Sequence, residues 1–270
     1  MGVTESTPDH KLFGFRVYKV TSQGPLAKKG VKAIEDFLIP PEEVYSRKMP
    51  FYEWVRKNAN KAVTMNIYSL TKRHFYSLDV TPSDDWCEDR NGGFLGACVR
   101  YENWATADTA LIRVLKVNEN SLAMKCGLIA QEDFIVALRP EGEDIITLNK
   151  GEVDSLTLFT NILGIYKGKN LELFVFNTKT GAKYVKVPYE ENLGCEVAFG
   201  KLHEFPRFNN TDSSTSEDIK SYGIEIDKNF NNSDKAQVDT ANLPSMPTPD
   251  KDNCAESAGK GSILYKYNFN

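Results

Sequence analysis

The chain has 270 residues, of which 41% are apolar, and a formal net charge of −4. This apolar fraction predicts a folded core, and the acidic balance disfavours nucleic acid as a partner, since binding to a phosphate backbone needs a surplus of Lys and Arg. No apolar run approaches the ~18 residues of a transmembrane helix, and five scattered cysteines without a signal peptide favour free thiols in the cytosol.

The N-terminus, Met-Gly-Val-Thr-Glu-Ser, fits the pattern for N-myristoylation. The acylated group would be the amine of Gly2, after removal of Met1, in a segment covering residues 1–9. For so short a pattern, a plain unmodified terminus is the alternative. One myristoyl chain gives only marginal membrane binding, about 10⁴ M⁻¹, so stable anchoring would need a second attachment.

Short β-rich segments predict strands in the first hundred residues. They lie at residues 15–20, 63–70 and 75–80. One helix is predicted after Pro50, because this proline suits the first turn of a helix. One side of that helix would carry Phe51, Trp54, Val55 and Asn58. A shorter helical turn is predicted at residues 25–29, ending at Gly30.

A Leu-Gly loop, Leu95-Gly96-Ala97-Cys98, precedes a predicted strand at residues 99–101. Backbone N–H groups freed at the glycine would converge on an anion, while the edge of the strand stays open to a peptide. Trp54 and Val55 of the preceding helix would form the wall of a side-chain pocket. The alternative is a simple hairpin turn that enters a core strand.

The second hundred residues have the same texture. Strands are predicted at residues 111–117, 171–178 and 183–187. A helix is predicted to begin at Asp154 or Ser155 and to stop at Gly164. Its apolar side would carry Leu156, Phe159 and Leu163. A shorter turn at residues 122–126 would end at Gly127, so each half is predicted to be a small α+β module with a mostly antiparallel sheet.

The two halves repeat one pattern at an offset of 97 residues. The first copy reads VYKV from Val17, GV from Gly30 and DFLI from Asp36, and the second reads VLKV from Val114, GL from Gly127 and DFIV from Asp133. A second Leu-Gly loop, Leu193-Gly194-Cys195, returns at an offset of 98. We therefore predict two sibling domains at residues 10–107 and 108–207.

Catalysis and metal binding have little support in the sequence. The three histidines, His10, His74 and His203, lie far apart and outside any zinc-binding motif, and no nucleophile motif is present. We expect a protein that is not an enzyme and has no cofactor and no metal site.

From about residue 209 the composition changes to Asn, Asp, Ser, Thr and Pro, which predicts a disordered tail over residues 208–270. Ser213, Ser214 and Ser216 precede an acidic pair, and Thr248 precedes a proline, so these four are candidate phosphorylation sites. An unmodified, solvated linker is the alternative. Each phosphate would add about −1.5 to −2 charges to an acidic chain.

Residues 1 to about 207 resemble the Golgi reassembly and stacking proteins. The repeated strand, the two Leu-Gly loops and the run FGKLHEFP from Phe199 carry the resemblance. It implies α+β, mainly β, tandem PDZ domains with a circularly permuted, bacterial-like strand order, followed by a regulatory tail. It also implies attachment to the cytosolic face of Golgi membranes, binding to the C-termini of golgins and cargo proteins, and self-association.

The resemblance also assigns site residues. The first peptide-binding groove falls on Leu95, Gly96, Ala97, Cys98, Val99, Trp54 and Val55. The second groove falls on Leu193, Gly194, Cys195, Glu196, Leu156, Phe159 and Leu163. A segment that docks into a partner's groove falls on Phe199, Gly200, Lys201 and Leu202.

The chain departs from the family pattern at three places. Arg16 and Glu102 stand where some members have a His and a Cys, which removes those possible metal ligands. Lys201 replaces an aromatic residue of the docking segment. The Trp-Gly-Gly sequence that leads into the groove loop is interrupted after Trp86. The charge of Lys201 in the docking segment disfavours self-association.

The leading hypothesis is a lipid-anchored, non-catalytic tether that binds C-terminal peptides and links Golgi membranes by self-association. The alternative is a monovalent PDZ adaptor for cargo trafficking or unconventional secretion, without tethering. A PDZ-regulated protease is a third idea, but the chain has no room for a catalytic domain.

Overall fold

The chain folds into two antiparallel sheets, one in each predicted domain, with short helices beside them. A computed structural model describes residues 12–87, 93–151 and 153–207. The predicted mainly β, α+β architecture is confirmed. The predicted N-terminal segment 1–9 with its lipidation at Gly2 lies outside these residues. So do the predicted disordered tail 208–270 and the predicted phosphorylation at Ser213, Ser214, Ser216 and Thr248.

The first sheet has five strands and three short helices around it. The strands are β1 (Phe13–Val20), β2 (Asp36–Ile39), β3 (Val63–Ser69), β4 (His74–Val80) and β5 (Ala97–Asn103). The helices are α1 (Pro25–Lys28), α2 (Glu42–Tyr45) and α3 (Phe51–Lys57). The order in the sheet is β4-β3-β2-β1-β5, so that β5 lies at an edge.

The second sheet repeats this plan. Its strands are β6 (Ile112–Val117), β7 (Asp133–Pro140), β8 (Ile146–Thr147), β9 (Lys169–Asn177), β10 (Gly181–Tyr189) and β11 (Cys195–Ala198). Its helices are α4 (Leu122–Lys125) and α5 (Ser155–Ile165), and a 3₁₀ turn follows at Lys201–His203. The order is β10-β9-β7-β6-β11, with β8 paired to β7, so β11 occupies the edge that β5 occupies in the first sheet.

The longer helix, α5, begins where the sequence predicts and ends later. The Asp154 carboxylate accepts the N–H of Thr157 at 2.8 Å and caps the helix. The predicted stop at Gly164 is wrong, because the helix continues through Ile165. Glycine costs a helix only about 1 kcal/mol, so Gly164 is tolerated inside it, and the first left-handed glycine after the helix is Gly168, with φ of +81°.

Each domain has its own apolar core, and a third cluster of buried side chains joins the two sheets. Tyr18 and Phe37 contribute to it from the first sheet, and Phe174 and Phe176 from the second. The rings of Tyr18 and Phe174 meet edge to face with centroids 5.3 Å apart. This shared core predicts that the domains hold one fixed arrangement, because separating them would expose aromatic surface to water.

Polar contacts surround the shared core. The Lys19 ammonium lies 2.7 Å from the Glu172 carboxylate, and Arg100 lies 2.8 Å from Asp144. The Tyr184 hydroxyl donates to the carbonyl of Tyr18 at 2.9 Å. These contacts join β1 and β5 to the second domain and leave the opposite face of the first sheet to its own core and α3.

Candidate peptide-binding groove

The loop before β5 turns two backbone N–H groups away from the body of the domain. The carbonyl oxygen of Leu95 accepts the N–H of Leu26 at 3.2 Å, and that of Gly96 accepts the N–H of Thr21 at 2.8 Å. In a planar trans peptide, the N–H that follows a carbonyl points the opposite way. The N–H groups of Gly96 and Ala97 therefore point outward, at the start of the edge strand.

Glycine is required at position 96 by both conformation and space. Its φ is +66°, in the left-handed region. A Cβ there would lie 2.5 Å from the Cα of Gly24 and 3.2 Å from the ring of Trp86. The Trp86 indole is held by a hydrogen bond to the carbonyl of Gly93, at 3.0 Å. The backbones of Gly96 and Gly24 are thus in close contact, with the ring of Trp86 beside them, and a larger residue at position 96 would not fit.

Strand β5 offers a free edge beside this loop. Within the described ranges, it pairs with β1 alone. Ala97, Val99 and Tyr101 pack towards the core of the first domain, whereas Cys98 packs towards the cluster between the sheets. The side chain of Cys98, a predicted groove residue, therefore points away from the groove, whereas those of Ala97 and Val99 point to its side of the sheet.

Helix α3 meets the region of the loop through a different side chain from those predicted. Val55 is buried in the core, and Trp54 lines a small cavity with Leu38 of β2 and Met65 of β3. Tyr52 lies two residues, about 200°, around the helix from Trp54. Its ring is 60% exposed, with its centroid 6.5 Å from that of Phe94, the residue before the loop.

The sequence therefore names Trp54 and misses Tyr52 and Phe94 at the mouth of the groove. The available signal for Phe94 is its position directly before Leu95 in an otherwise polar run. No local pattern marks Tyr52, because the contact joins residues 42 positions apart.

The second Leu-Gly loop has the same backbone geometry. The carbonyl of Gly194 accepts the N–H of Asn118 at 2.9 Å, and that of Leu193 accepts the N–H of Ala123 at 2.7 Å. Gly194 has φ of +73°, and a Cβ there would lie 2.4 Å from the Cβ of Ser121. The internal repeat read from the sequence thus extends to individual hydrogen bonds.

One side chain distinguishes the two loops. The Asn192 side-chain oxygen accepts the N–H of Gly194 at 2.7 Å. The equivalent position, 98 residues earlier, holds Phe94, which has no acceptor. Among the described residues, no acceptor lies within hydrogen-bonding distance of the N–H of Gly96. Within residues 12–87, 93–151 and 153–207, the first loop therefore leaves its outward donor without an acceptor, while the second loop satisfies its own.

The helical residues predicted for the second groove are core residues. Phe159 and Leu163 are buried, and Leu156 packs against the same core. Burial also raises the pKa of the Cys195 thiol. Glu196 is exposed and pairs with Lys116 at 3.1 Å across β11 and β6.

The predicted docking segment lies on the surface. Phe199 is 40% exposed and Leu202 is 89% exposed. Gly200 has φ of +94° and begins the 3₁₀ turn that contains Lys201. Three residues after Leu202, Phe205 is buried against Phe176, with ring centroids 4.4 Å apart. The segment is thus a surface turn held between β11 and a buried anchor.

The side-chain clusters and the helices of the described ranges bear on metal binding and on membranes. No group of three or more His, Cys, Asp or Glu side chains gathers there in an arrangement suited to a metal ion. None of the helices in those ranges has the length and apolar character needed to cross a membrane.

The amino-acid sequence of this chain is similar to those of a known protein family and of several known proteins. A family model described as the GRASP55/65 PDZ-like domain matches residues 65–208, more than half of the chain. Golgi reassembly-stacking protein 1 of Homo sapiens is 26% identical over 218 residues, covering 76% of this chain and 46% of that protein. The Mus musculus protein of the same name is 26% identical over 205 residues, covering 72% and 42%.

An uncharacterised protein of Schizosaccharomyces pombe is 22% identical over 201 residues, covering 72% of this chain and 53% of that protein. The chain thus spans about half the length, or less, of these relatives.

Proposed function

The chain belongs to the GRASP55/65 PDZ-like domain family, and we propose that it is a non-catalytic scaffold whose first groove binds the C-terminal end of another polypeptide. The observation that carries the proposal is the outward N–H of Gly96, without an acceptor in the described ranges, at the start of a free strand edge. The N–H can donate to the terminal carboxylate of a peptide, while the strand edge pairs with the peptide's backbone.

In this proposal the bound peptide adds a strand to β5. Its carboxylate accepts the N–H groups of Gly96 and Ala97, and its backbone pairs with the open edge. The last side chain would lie near Val99 on the strand and near Tyr52 and Phe94 beside the loop. Because these neighbours are apolar or aromatic, the preferred final residue is apolar.

The second groove plays a lesser part in this proposal. Asn192 already accepts the N–H of Gly194, so a carboxylate would have to displace an existing hydrogen bond at 2.7 Å. Each copy of the chain would then bind one terminal peptide, in its first domain.

We place this activity on the cytosolic face of Golgi membranes. Support comes from the two relatives named Golgi reassembly-stacking protein 1 and from the myristoylation pattern at Gly2. A myristoyl chain and a groove that holds a membrane-bound golgin or cargo tail would reinforce each other, by about 10²- to 10⁴-fold through effective concentration. Self-association through exposed Phe199 and Leu202 would link two membranes.

A monovalent adaptor without tethering is the second candidate function. Lys201 favours it, because a charged residue lies in the surface turn where the family resemblance implies an aromatic one. Aggregation of beads coated with purified protein separates the two functions, since only a tether clusters beads. A Gly2→Ala variant tests the anchor, which requires that this variant disperses into the cytosol.

Peptide binding is tested with pairs of peptides ending in Val, Leu, Ile or Phe, each made as the free acid and as the C-terminal amide. Fluorescence anisotropy with the full chain is expected to show at least about tenfold weaker binding of the amides, because a charge-assisted hydrogen bond is lost. Equal binding of acids and amides, or no binding of either, would rule out carboxylate capture.

A further inference from the structure

An open cleft lies between the two domains, away from the peptide groove. Three turns line it, at residues 32–35, 71–72 and 178–182. The charged side chains among its lining residues are Lys32, Lys72, Lys179 and Glu35, which gives a net charge of +2. This interdomain cleft is therefore basic in a chain whose net charge is −4.

Two of the three lysines of the interdomain cleft, Lys32 and Lys179, already have a carboxylate partner, and among the described residues Lys72 does not. Glu35 is only 7% exposed and accepts the hydroxyl of Thr71 at 2.8 Å, with Lys32 at 3.8 Å. Lys179 pairs with Glu132, which lies outside the cleft. The exposed ammonium group of Lys72 has no carboxylate within ion-pair distance in the described ranges.

The described chain ends beside this cleft. The buried ring of Phe205 packs on Phe176, which lines the cleft. Arg73, the neighbour of Lys72, lies 3.6 Å from the carboxylate of Glu204. The described chain therefore ends at residue 207, three residues after Glu204, whose carboxylate contacts the sequence neighbour of Lys72.

The next stretch of sequence is acidic. Residues 208–219 contain Asp212, Glu217 and Asp218 and no Lys or Arg. Asp212 follows Arg207 by five residues, which an extended chain spans with about 17 Å. Asp212 is thus the first carboxylate after the described chain ends, and Glu217 and Asp218 follow it within six residues.

We propose that the acidic segment 211–219 of the same chain docks in the interdomain cleft, with its carboxylates paired to Lys32, Lys72 and Lys179. Charge complementarity and the point of exit support this occupant, and the short connection raises its effective concentration to the millimolar range. The docked segment would cover the joint between the domains and leave the first groove open. This interaction is independent of peptide binding in that groove.

Zero-length carbodiimide cross-linking of the full chain, followed by mass spectrometry, tests the proposal. This reagent joins an amine to a carboxylate only where the two are in contact. We expect cross-links from the cleft lysines to Asp212, Glu217 or Asp218. The exposed pair Lys167–Glu191, at 2.6 Å, provides an internal standard for the reaction.

Variants and salt sharpen the test. Lys32→Gln with Lys72→Gln should lower the yield of cleft-to-tail cross-links at Lys179 by about fivefold relative to the standard, whereas Lys57→Gln on α3 should not change it. Raising the salt to 1 M shortens the screening length to about 3 Å and should lower the yield as well. Ser213→Glu with Ser214→Glu should raise it, since both add negative charge.

Three results would overturn the proposal. The first is an absence of cleft-to-tail cross-links in a sample where Lys167–Glu191 is joined. The second is tail cross-links spread equally over lysines elsewhere, such as Lys57. The third is that a mixture of ¹⁵N-labelled and unlabelled protein gives cross-links of mixed mass, which would assign the cleft to a second copy.

Discussion

Arg16 and Glu102 lie on neighbouring strands, β1 and β5, with a guanidinium nitrogen 3.7 Å from a carboxylate oxygen and both side chains fully buried. Tyr18 donates its hydroxyl to the other oxygen of Glu102, and Arg16 Nε donates to the carbonyl of Ile34 at 3.0 Å. The pair faces Asn149 of the second domain. This buried pair thus lies at the junction of the domains. It occupies the two positions at which, by the family resemblance, some members have a His and a Cys.

We expect the two charges to be coupled. Arg16→Met alone leaves the buried Glu102 carboxyl without its partner and should lower the free energy of unfolding by about 3–5 kcal/mol, whereas Glu102→Gln keeps the neutral form that burial favours and should lower it less. The double variant removes both charges and should lose less than Arg16→Met alone. Urea unfolding of the four proteins measures the coupling, and additive losses would show that the pair does not interact.

Stability should depend on pH through Glu102. Burial raises the pKa of this carboxyl above its ordinary value of 4.5, although Arg16 and hydrogen bonds lower it in part. The folded state therefore holds the proton more tightly than the unfolded chain. The resulting stability is complete below the ordinary pKa and is lost as the pH rises through the raised value.

The free energy of unfolding of the native chain, relative to Glu102→Gln, should accordingly fall as the pH rises above about 4.5. Urea titrations of both proteins at several pH values measure this difference. A difference that stays constant with pH would contradict the raised pKa.

Gly96→Ala should destabilise the first domain by at least about 1–3 kcal/mol, because the left-handed backbone is strained and the Cβ meets the Cα of Gly24 at 2.5 Å. Gly30→Ala is the matched control, since Gly30 has φ of +77° and nothing within 4 Å of its added Cβ. Thermal unfolding compares them, and equal losses would mean that space at Gly96 is unimportant. Charged substitutions at Gly96 are therefore poor probes of the groove.

Tyr52→Glu is a better probe, because Tyr52 is exposed and lies at the groove mouth beside Phe94. A negative charge there should repel a terminal carboxylate and weaken peptide binding by about fivefold, without changing the melting temperature. Lys57→Glu, exposed on the same helix, makes a larger charge change away from the mouth and should have a smaller effect. Fluorescence anisotropy with the free-acid peptides provides the comparison.

Phe205→Ala should lower the free energy of unfolding by about 3–5 kcal/mol, since it removes a buried ring from the core shared by the domains. Leu202→Ala removes a side chain that is 89% exposed and should change it by less than about 0.5 kcal/mol. Urea unfolding measures both. Similar small effects would show that the segment after β11 is not anchored.

The internal repeat, the mainly β class and the two Leu-Gly loops could be predicted from the sequence alone. These features are local, because strand periodicity and the need for glycine at a left-handed turn depend on neighbouring residues. Because the pattern repeats at an offset of 97 residues, a prediction for the first domain also applies to the second. The equivalence extends to the backbone hydrogen bonds accepted by Gly96 and Gly194.

Which side chains form the groove was decided only by the tertiary structure. Trp54 packs towards β2 and β3, and the ring of Tyr52 contacts that of Phe94. Asn192 accepts the N–H of one loop, whereas no residue of the described ranges accepts the N–H of the other. The burial of Arg16 beside Glu102 likewise follows from the packing of one domain on the other. The direction of a side chain around a helix and the partner that covers a sheet depend on residues far apart in sequence, and no local pattern encodes those contacts.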